Sequence, residues 1–381
     1  MIPYGRQDID QADIDAVLTV LRSDFITQGP MVPLFEQTLA SYCGASHAVV
    51  VSSASAALHI ACLALDLGPG DWLWTSPNTF VASANCALHC GAQVDFVDID
   101  PNTYNMSTER LAEKLVQAKK EGMLPKVLVP VHLGGQSCDM LAIQLLSHQY
   151  GFKVIEDASH AIGGKYKNET IGNCRYSDIT VFSFHPVKII TTGEGGAALT
   201  NNSELADRMQ LFRSHGITNN SHKMKKRPVD EIWNYQQIAL GFNYRMTDLQ
   251  AALGVSQMAR LDDFVSKRHQ IAKRYNEELA GLDLQLPWQH TDSYSSYHLY
   301  PIRIKSNQRQ VYHAFQSVGI NVNFHYIPVY RHPFYEDMGF KAGYCEEAER
   351  YFKETISIPI FSSLSDQSQN QVINKLKKIL T

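Results

Sequence analysis

Residues 127–157 read VLVPVHLGGQSCDMLAIQLLSHQYGFKVIED. An apolar run, Val127–Val131, gives way to two glycines, a helical segment at Met140–Tyr150 and a second apolar run at Val154–Ile155. Short continuous apolar runs fit strands buried on both faces, and a helix between two of them lets the strands lie parallel. The alternation extends upstream through Ala48–Val51, Trp72–Trp74 and Val94–Val97, with helical segments at Ala56–Leu65, Val81–Cys90 and Thr108–Lys119. Downstream, Ile179–Phe184 runs toward Gly193, Gly195 and Gly196, a tight reversal into another strand. The pattern predicts an α/β chain built on a mostly parallel sheet covered on both faces. Ligands of such sheets collect at the carboxyl ends of the strands.

Outside this block, Ile14, Val17, Leu18 and Leu21 form one apolar helical face, and a second helix near Pro33 carries Phe35, Leu39 and Tyr42. Helices are expected at Ser203–Ser214 and, as one long element, at Thr247–Leu279. Beyond residue 283 the pattern changes to strands near His298–Ile304 and Asn321–Phe324, with helices at Gln308–Val318, Glu346–Glu354 and Gln367–Leu380. A chain of 381 residues exceeds what one core usually supports. The expected division is a large domain over 1–250, with an N-terminal arm, and a bridging helix with a smaller α/β domain over 251–381.

With 44% hydrophobic and 19% charged residues the chain is ordinary globular material, and a net charge of −4 gives no footing for nucleic acid. No signal peptide and no apolar run of membrane-spanning length is read from it. The seven cysteines are scattered, with no C-x-x-C pair, which fits a reduced, cytoplasmic protein. Cys86 and Cys90 lie four apart on one helix, but nothing in the sequence completes a zinc set, and no metal is expected.

Chemistry is expected at four strand ends. Lys188, in VFSFHPVKIITTGEGG, stands between an apolar strand and a glycine turn. Partial burial lowers a lysine pKa, and a neutral amine can form an imine with an aldehyde; the plain alternative is a structural lysine. Asp157, in VIEDASHA, can hold a pyridine nitrogen in its protonated form, or can simply cap a helix. SSASAALH, residues 52–59, opens a helix after a strand, so its amides and the hydroxyls of Ser53 and Ser55 suit a phosphate. Ser183 can reach the same phosphate or pack in its strand. Phe80, in SPNTFVASAN, can stack on a flat ring or lie in the core. Together these residues describe a site for pyridoxal phosphate (PLP).

The same segments carry a family resemblance. TQGP, SSASAALH, TSPNTFVASANCALHCGA, VHLGGQSCDM, VIEDASHAIGGKY, FSFHPVKIITTGEGG, LFRSHG, GFNYRMTDLQAALG and HYIPVY run in order from residue 27 to 330. They resemble the DegT/DnrJ-type sugar aminotransferases of aminotransferase fold type I. The resemblance implies a seven-stranded, mostly parallel sheet domain with a smaller C-terminal α/β domain. It implies PLP bound as a Schiff base to Lys188, Asp157 against the ring nitrogen, Phe80 stacked on the ring, and Ala54, Ser55 and Ser183 on the phosphate. Asn243 is implied to come from the neighbouring subunit, which makes the enzyme a homodimer with shared active sites. Two positions depart from the family: Ala54–Ser55 stands where Gly-Thr is frequent, and His160 where Gln is frequent. His160 is then a packed imidazole or a hydrogen-bond donor to the cofactor's phenolic oxygen. Lys188 argues against the branch that carries His there and dehydrates sugars.

DFITQG, Tyr4 and HYIP are similar to the branch that makes UDP-4-amino-4,6-dideoxy-N-acetyl-beta-L-altrosamine for pseudaminic acid biosynthesis. The implied reaction moves an amino group from L-glutamate to a UDP-linked 4-keto-6-deoxy-N-acetylhexosamine by a ping-pong route, with Lys188 as the acid–base group. Substrate contacts would be Tyr4, Asp24, Phe25, Ile26, Thr27, Ser55, Ser183, Asn243, His325, Tyr326, Ile327 and Pro328. The polar segment Thr218–Ile232, with Lys223, Lys225, Lys226 and Arg227, is either a solvated loop or a flap that meets the substrate phosphates. Rival readings are an aminotransferase for another 4- or 3-ketosugar, a PLP- or sugar-binding sensor without turnover, and a dinucleotide-dependent oxidoreductase. The last lacks a G-x-G-x-x-G after the first strand.

Overall fold

The computed structural model describes residues 1–228, 230–305 and 308–380. Val229, within the polar segment Thr218–Ile232, and the last residue of the expected second domain lie outside the described residues. Seven strands make the main sheet: β1 (His47–Val51), β2 (Trp72–Thr75), β3 (Gln93–Phe96), β4 (Val127–Val129), β5 (Lys153–Asp157), β6 (Ile179–Ser183) and β7 (Gly196–Thr200). Their order is β1-β7-β6-β5-β4-β2-β3. Only β7 runs against the rest, pairing antiparallel with both β1 and β6; the other neighbouring pairs are parallel. The fold is the expected α/β one.

Alternate residues of each strand serve opposite layers. Val49, Val51, Val127, Val129 and Ile155 face a core formed with α3 (Ala54–Ala64), α4 (Ala82–His89) and α7 (Ser203–Arg213). Val50 and Leu199 face α2 (Met31–Cys43) and α8 (Asp248–Met258). Leu128 and Val154 face α5 (Thr108–Glu121) and α6 (Met140–Tyr150). This two-sided burial is why the strands read as unbroken apolar runs.

Three expectations need correction, and one strand is new. The helix α1 (Gln11–Leu21) exists, but its apolar face is bare: Ile14, Leu18 and Leu21 are 46%, 38% and 54% exposed. It docks on α8 through its other side, where Asp13 and Val20 are buried. The helix expected over Thr247–Leu279 is two, α8 and α9 (Leu261–Glu278), broken at Ala259–Arg260. Arg260 there pairs with Asp8, Asp10 and Asp13 at 3.1, 3.2 and 2.5 Å, clamping the N-terminal arm to the break. No strand forms over Asn321–Phe324; the chain makes only single bridges here, Ile320 to Ile2 just before the segment and Asn323 to Ser357 within it. Finally, β9 (Thr355–Ile358), unread in the sequence, pairs antiparallel with β8 (Tyr300–Arg303).

The β8–β9 pair, the helix α10 (Gln308–Gln316) and the C-terminal helix Asp366–Leu380 enclose a second core. The helix α9 serves both, giving Leu261, Phe264 and Val265 to the first and Ile271, Ala272 and Tyr275 to the second. Val329, Tyr330, Tyr335 and Tyr351 return to the core of the main sheet. Among the described residues no helix is long and apolar enough to cross a membrane.

Candidate active site

The carboxyl ends of β1, β2, β5 and β6 open onto one cavity of about 700 Å³. After β1 the chain passes Ser52 and Ser53 into α3. Ser53 caps that helix, its hydroxyl accepting from the Ala56 amide at 3.1 Å. The amides of Ala54 and Ser55, in the first turn, have no carbonyl within the helix to bond and face the cavity with the helix dipole behind them. Gly196 on β7 permits this placement: a Cβ there would sit 2.5 Å from the Ala54 nitrogen. After β2 comes Phe80, 61% exposed, its ring stacked on no other aromatic ring among the described residues and lining the cavity mouth.

Asp157 ends β5 and is 5% exposed. Ser83 Oγ donates to its Oδ2 at 2.6 Å and the Ser159 amide to its Oδ1 at 3.1 Å, so both carboxylate oxygens are oriented. Thr79 Oγ1 lies 2.8 Å from Ser83 Oγ and extends the chain. Five residues beyond the end of β6, the turn at His185–Lys188 brings the lysine amine into the same space, closed by the Lys188 amide donating to the His185 carbonyl at 2.9 Å. Burial pulls the Lys188 amine down to about 8, against the opposing pull of Asp157.

Two buried imidazoles beside it, those of His160 and His325, are neutral. Burial first, then the Lys188 charge, holds His160 well below its ordinary value and His325 at about 3. His160 Nδ1 accepts the Gly134 amide at 3.3 Å, so its proton sits on Nε2 and is donated to the Tyr326 hydroxyl at 3.1 Å. His325 Nε2 accepts from Asn323 at 3.3 Å, and its Nδ1–H is donated to Ser357 Oγ at 2.9 Å. Tyr4, on the N-terminal arm, packs its ring 5.3 Å from that of His325. The arm is held there by the Ile360 amide donating to the Tyr4 carbonyl at 3.1 Å.

The structure thus brings Tyr4, Ala54, Ser55, Phe80, Asp157, His160, Ser183, Lys188, His325 and Tyr326 to one cavity. It does not bring Asp24, Phe25, Ile26, Thr27 or Asn243, all exposed, nor exposed Ile327 and buried Pro328, to the wall of that cavity in a single chain. Asp24–Thr27 precede α2 and are tied to α8: Asp248 donates its amide to the Ile26 carbonyl, and its carboxylate accepts from the Gly29 and Val32 amides at 2.5 and 3.0 Å. Of the polar segment's cations, Lys223 pairs with Asp207 at 2.6 Å and Arg227 lies over the Trp233 ring at 4.6 Å. Sequence reasoning missed Ser83, Ser159, Asn323 and Glu194, which also line the cavity. Ser83 stands four residues from Thr79 at a helix start, a spacing that announces a cap rather than a carboxylate ligand.

A buried amine of lowered basicity, an oriented carboxylate and an anion cup in one enclosed space suit covalent chemistry on a phosphorylated carbonyl compound. Comparison with known proteins agrees. The model of the DegT/DnrJ/EryC1/StrS aminotransferase family matches residues 7–377. The UDP-4-amino-4,6-dideoxy-N-acetyl-beta-L-altrosamine transaminase of Campylobacter jejuni is 37% identical over all of this chain and 98% of its own length. Helicobacter pylori PseC, an aminotransferase involved in the biosynthesis of pseudoaminic acid, superposes with a TM-score of 0.89 at 31% identity, covering 100% of this chain and 99% of its own. A putative sugar aminotransferase of Streptococcus pneumoniae in its PMP form superposes at 0.90 with 28% identity, covering 100% and 99%. The chain belongs to the DegT/DnrJ/EryC1/StrS aminotransferase family.

Proposed function

We propose that this chain is a PLP-dependent aminotransferase that carries an amino group from L-glutamate to the C4 ketone of a UDP-linked 4-keto-6-deoxy-N-acetylhexosamine. The product would be UDP-4-amino-4,6-dideoxy-N-acetyl-beta-L-altrosamine. The observation that carries the reading is the Lys188 amine, lowered to about 8, inside a cavity that also holds Asp157 and the open first turn of α3. The residues present fit PLP. The free amides of Ala54 and Ser55, with Ser183, would take its phosphate; Phe80 offers an unstacked ring; Asp157, held by Ser83 and Ser159, would meet the ring nitrogen; Lys188 would take its aldehyde. When bound, PLP supplies the carbonyl that exchanges for an amine and the ring that draws off negative charge from the reacting carbon.

The chain's own groups do the rest. Released from the cofactor, the Lys188 amine is the one group in the cavity lowered into the range for moving a proton near neutral pH. It would remove the proton from the α-carbon of glutamate and return one to the sugar's C4. Asp157 would hold a proton on the ring nitrogen throughout. Neutral His160 adds no positive charge beside Lys188, so the amine is not further suppressed by a neighbouring cation. Tyr326, kept protonated by burial and receiving a hydrogen bond from His160, can donate to a cofactor or sugar oxygen.

The site would be completed by a second copy of the chain. The bare face of α1, with Phe25, Ile26 and Leu34 also exposed, is apolar surface of the kind an obligate partner covers. Asn243 and Asp24–Thr27 would reach the cavity in that assembly. A cytoplasmic setting fits the seven free thiols. Supporting the sugar are the names of the Campylobacter relative and of PseC. A relative of equal rank, the spore coat polysaccharide biosynthesis protein SpsC of Bacillus subtilis at 36% identity, keeps a different nucleotide ketosugar as the second reading. Purified enzyme with glutamate and a panel of UDP-4-ketosugars and 3-ketosugars, with product stereochemistry read by NMR, separates them. Turnover of only a 3-ketosugar would overturn the proposed substrate.

A further inference from the structure

In the proposed reaction L-glutamate brings two carboxylates into the cavity, and its amine, once given up, no longer balances them. Few groups stand ready to meet them. Among the described residues no arginine lines the cavity, and its basic side chains are Lys188, His160, His185 and His325. Lys188 is committed to the cofactor and to the moving proton. His160 has both ring nitrogens engaged, Nδ1 by the Gly134 amide and Nε2 by the Tyr326 hydroxyl. His325 is engaged likewise, by Ser357 Oγ and by Asn323. Turning either ring toward a ligand would leave a buried donor or acceptor unpaired.

His185 differs from both. It is exposed and lines the cavity, and its ring makes no hydrogen bond, ion pair or ring contact with any described residue. Its place is nonetheless fixed. Phe184 before it is buried, with its amide donating to the Gly195 carbonyl at 2.9 Å and its carbonyl accepting the Thr192 amide at 3.0 Å. Pro186 after it stiffens the backbone, and the His185 carbonyl itself accepts the Lys188 amide at 2.9 Å. An unpaired imidazole therefore rides on the closed turn that carries the reacting amine, free to donate a hydrogen bond to an anion. Glu194, also exposed and lining the cavity, has a carboxylate without a hydrogen-bond or ion-pair partner among the described residues. It repels an anionic donor from its own side, and His185 is the group at the rim that attracts one.

The two carboxylates of the donor do not lie alike. The α-carboxylate is bonded to the carbon that loses its proton, so it stays beside the Lys188 amine. The side-chain carboxylate lies further along the donor and reaches the exposed rim. The diphosphate of the sugar substrate is separated from the reacting ketone by the whole sugar ring, which carries it past His185. We infer that His185 receives the side-chain carboxylate of L-glutamate and so selects a dicarboxylic amino donor over L-alanine. The inference rests on the aminotransferase reading and adds to it the group that reads the donor.

The test mixes the full-length, PLP-loaded enzyme with amino donor alone and follows the loss of the lysine–cofactor absorbance. In H185A the second-order rate constant with L-glutamate should fall about tenfold, and that with L-alanine should change by less than about twofold. Equal losses with both donors would make His185 a structural part of its turn, and a loss confined to the UDP-sugar half-reaction would assign it to the diphosphate; either overturns the inference. A second readout needs no turnover. Glutarate, which has both carboxylates and no amine, should bind the wild-type holoenzyme about tenfold tighter than pentanoate in calorimetry, and H185A should abolish the difference. A preference for glutarate that survives in H185A would overturn the inference. A wild type that ignores glutamate would overturn the aminotransferase reading together with this one; a wild type that reacts, with H185A unchanged, would overturn this one alone.

Discussion

If Lys188 is the group that takes the cofactor aldehyde, its acidity sets how the cofactor-free protein captures PLP. The amine attacks only when neutral. Burial lowers it from 10.5 to about 8, which raises the neutral fraction at pH 7 roughly 300-fold, to about one molecule in ten. Capture should therefore accelerate about tenfold between pH 7 and pH 9 and level off above it. A solvent lysine would go on accelerating past pH 10. The assay is stopped-flow mixing of apoenzyme with PLP from pH 6 to 10, following the visible absorbance of the lysine–cofactor linkage, with K188A as the blank. A midpoint above pH 10, or capture by K188A, would refute the reasoning. The same shift has a stability consequence. The folded state disfavours the charged amine while the unfolded chain keeps it, so the cost is full below pH 8 and fades as pH rises toward 10.5. The apo form of K188M should be more stable than wild type by up to about 3 kcal/mol at pH 7, and the gap should close by pH 10.5.

Other outcomes follow from named contacts. Asp157→Ala should keep some cofactor but lose turnover by about 100-fold or more; a variant within twofold of wild type would reduce Asp157 to a helix cap. Ser83→Ala removes a 2.6 Å hydrogen bond to that carboxylate and should weaken PLP affinity by about tenfold, read by fluorescence titration. Neutralising Lys225 and Lys226 together should raise KM for the UDP-sugar and leave KM for glutamate unchanged; equal effects would return the segment to the status of a solvated loop. Lys223 is a poorer probe, since it is already paired with Asp207.

The sheet was legible because its strands are buried on both faces. Such strands read as unbroken apolar runs, and the helices between them fix the parallel sense. Lys188, Asp157, Phe80 and the Ser52–Ser55 turn were legible for a related reason: each follows such a run, and strand ends of a parallel sheet share one edge. What stayed hidden depends on contacts across the chain. The apolar stripe of α1 has the periodicity of a core face, and periodicity cannot say which body will cover it. The break at Arg260 leaves no mark, since arginine is a good helix former; three aspartates of the N-terminal arm hold the turn. The run at Thr355–Ile358 is short and abuts a helix, so it offered no alternation to count. Ser83 resembles any cap until Asp157 is placed 2.6 Å away.

One arrangement accounts for the α1 stripe, the Asp24–Thr27 segment and Asn243 together. Each is exposed in the single chain. Asp248 ties the chain at and just after this segment, at Ile26, Gly29 and Val32, and Asn243 is bridged to Ser214 at the base of the polar segment. Residues tied in this way would not reach the cavity by local motion; in the proposed assembly a second copy brings the cavity to them. Shared sites make a strong demand on mixtures of inactive variants. Pair K188A with N243A by joint refolding or co-expression. A mixed dimer then has one site carrying both defects and one carrying neither. With random pairing half the dimers are mixed, and each has one intact site of two, so activity should recover to about a quarter of wild type. If each site lies within one chain, every site carries one defect and nothing is recovered. Size-exclusion chromatography with differently tagged chains confirms that exchange took place. Confirmed mixed dimers with no activity would place Asn243 outside its partner's site.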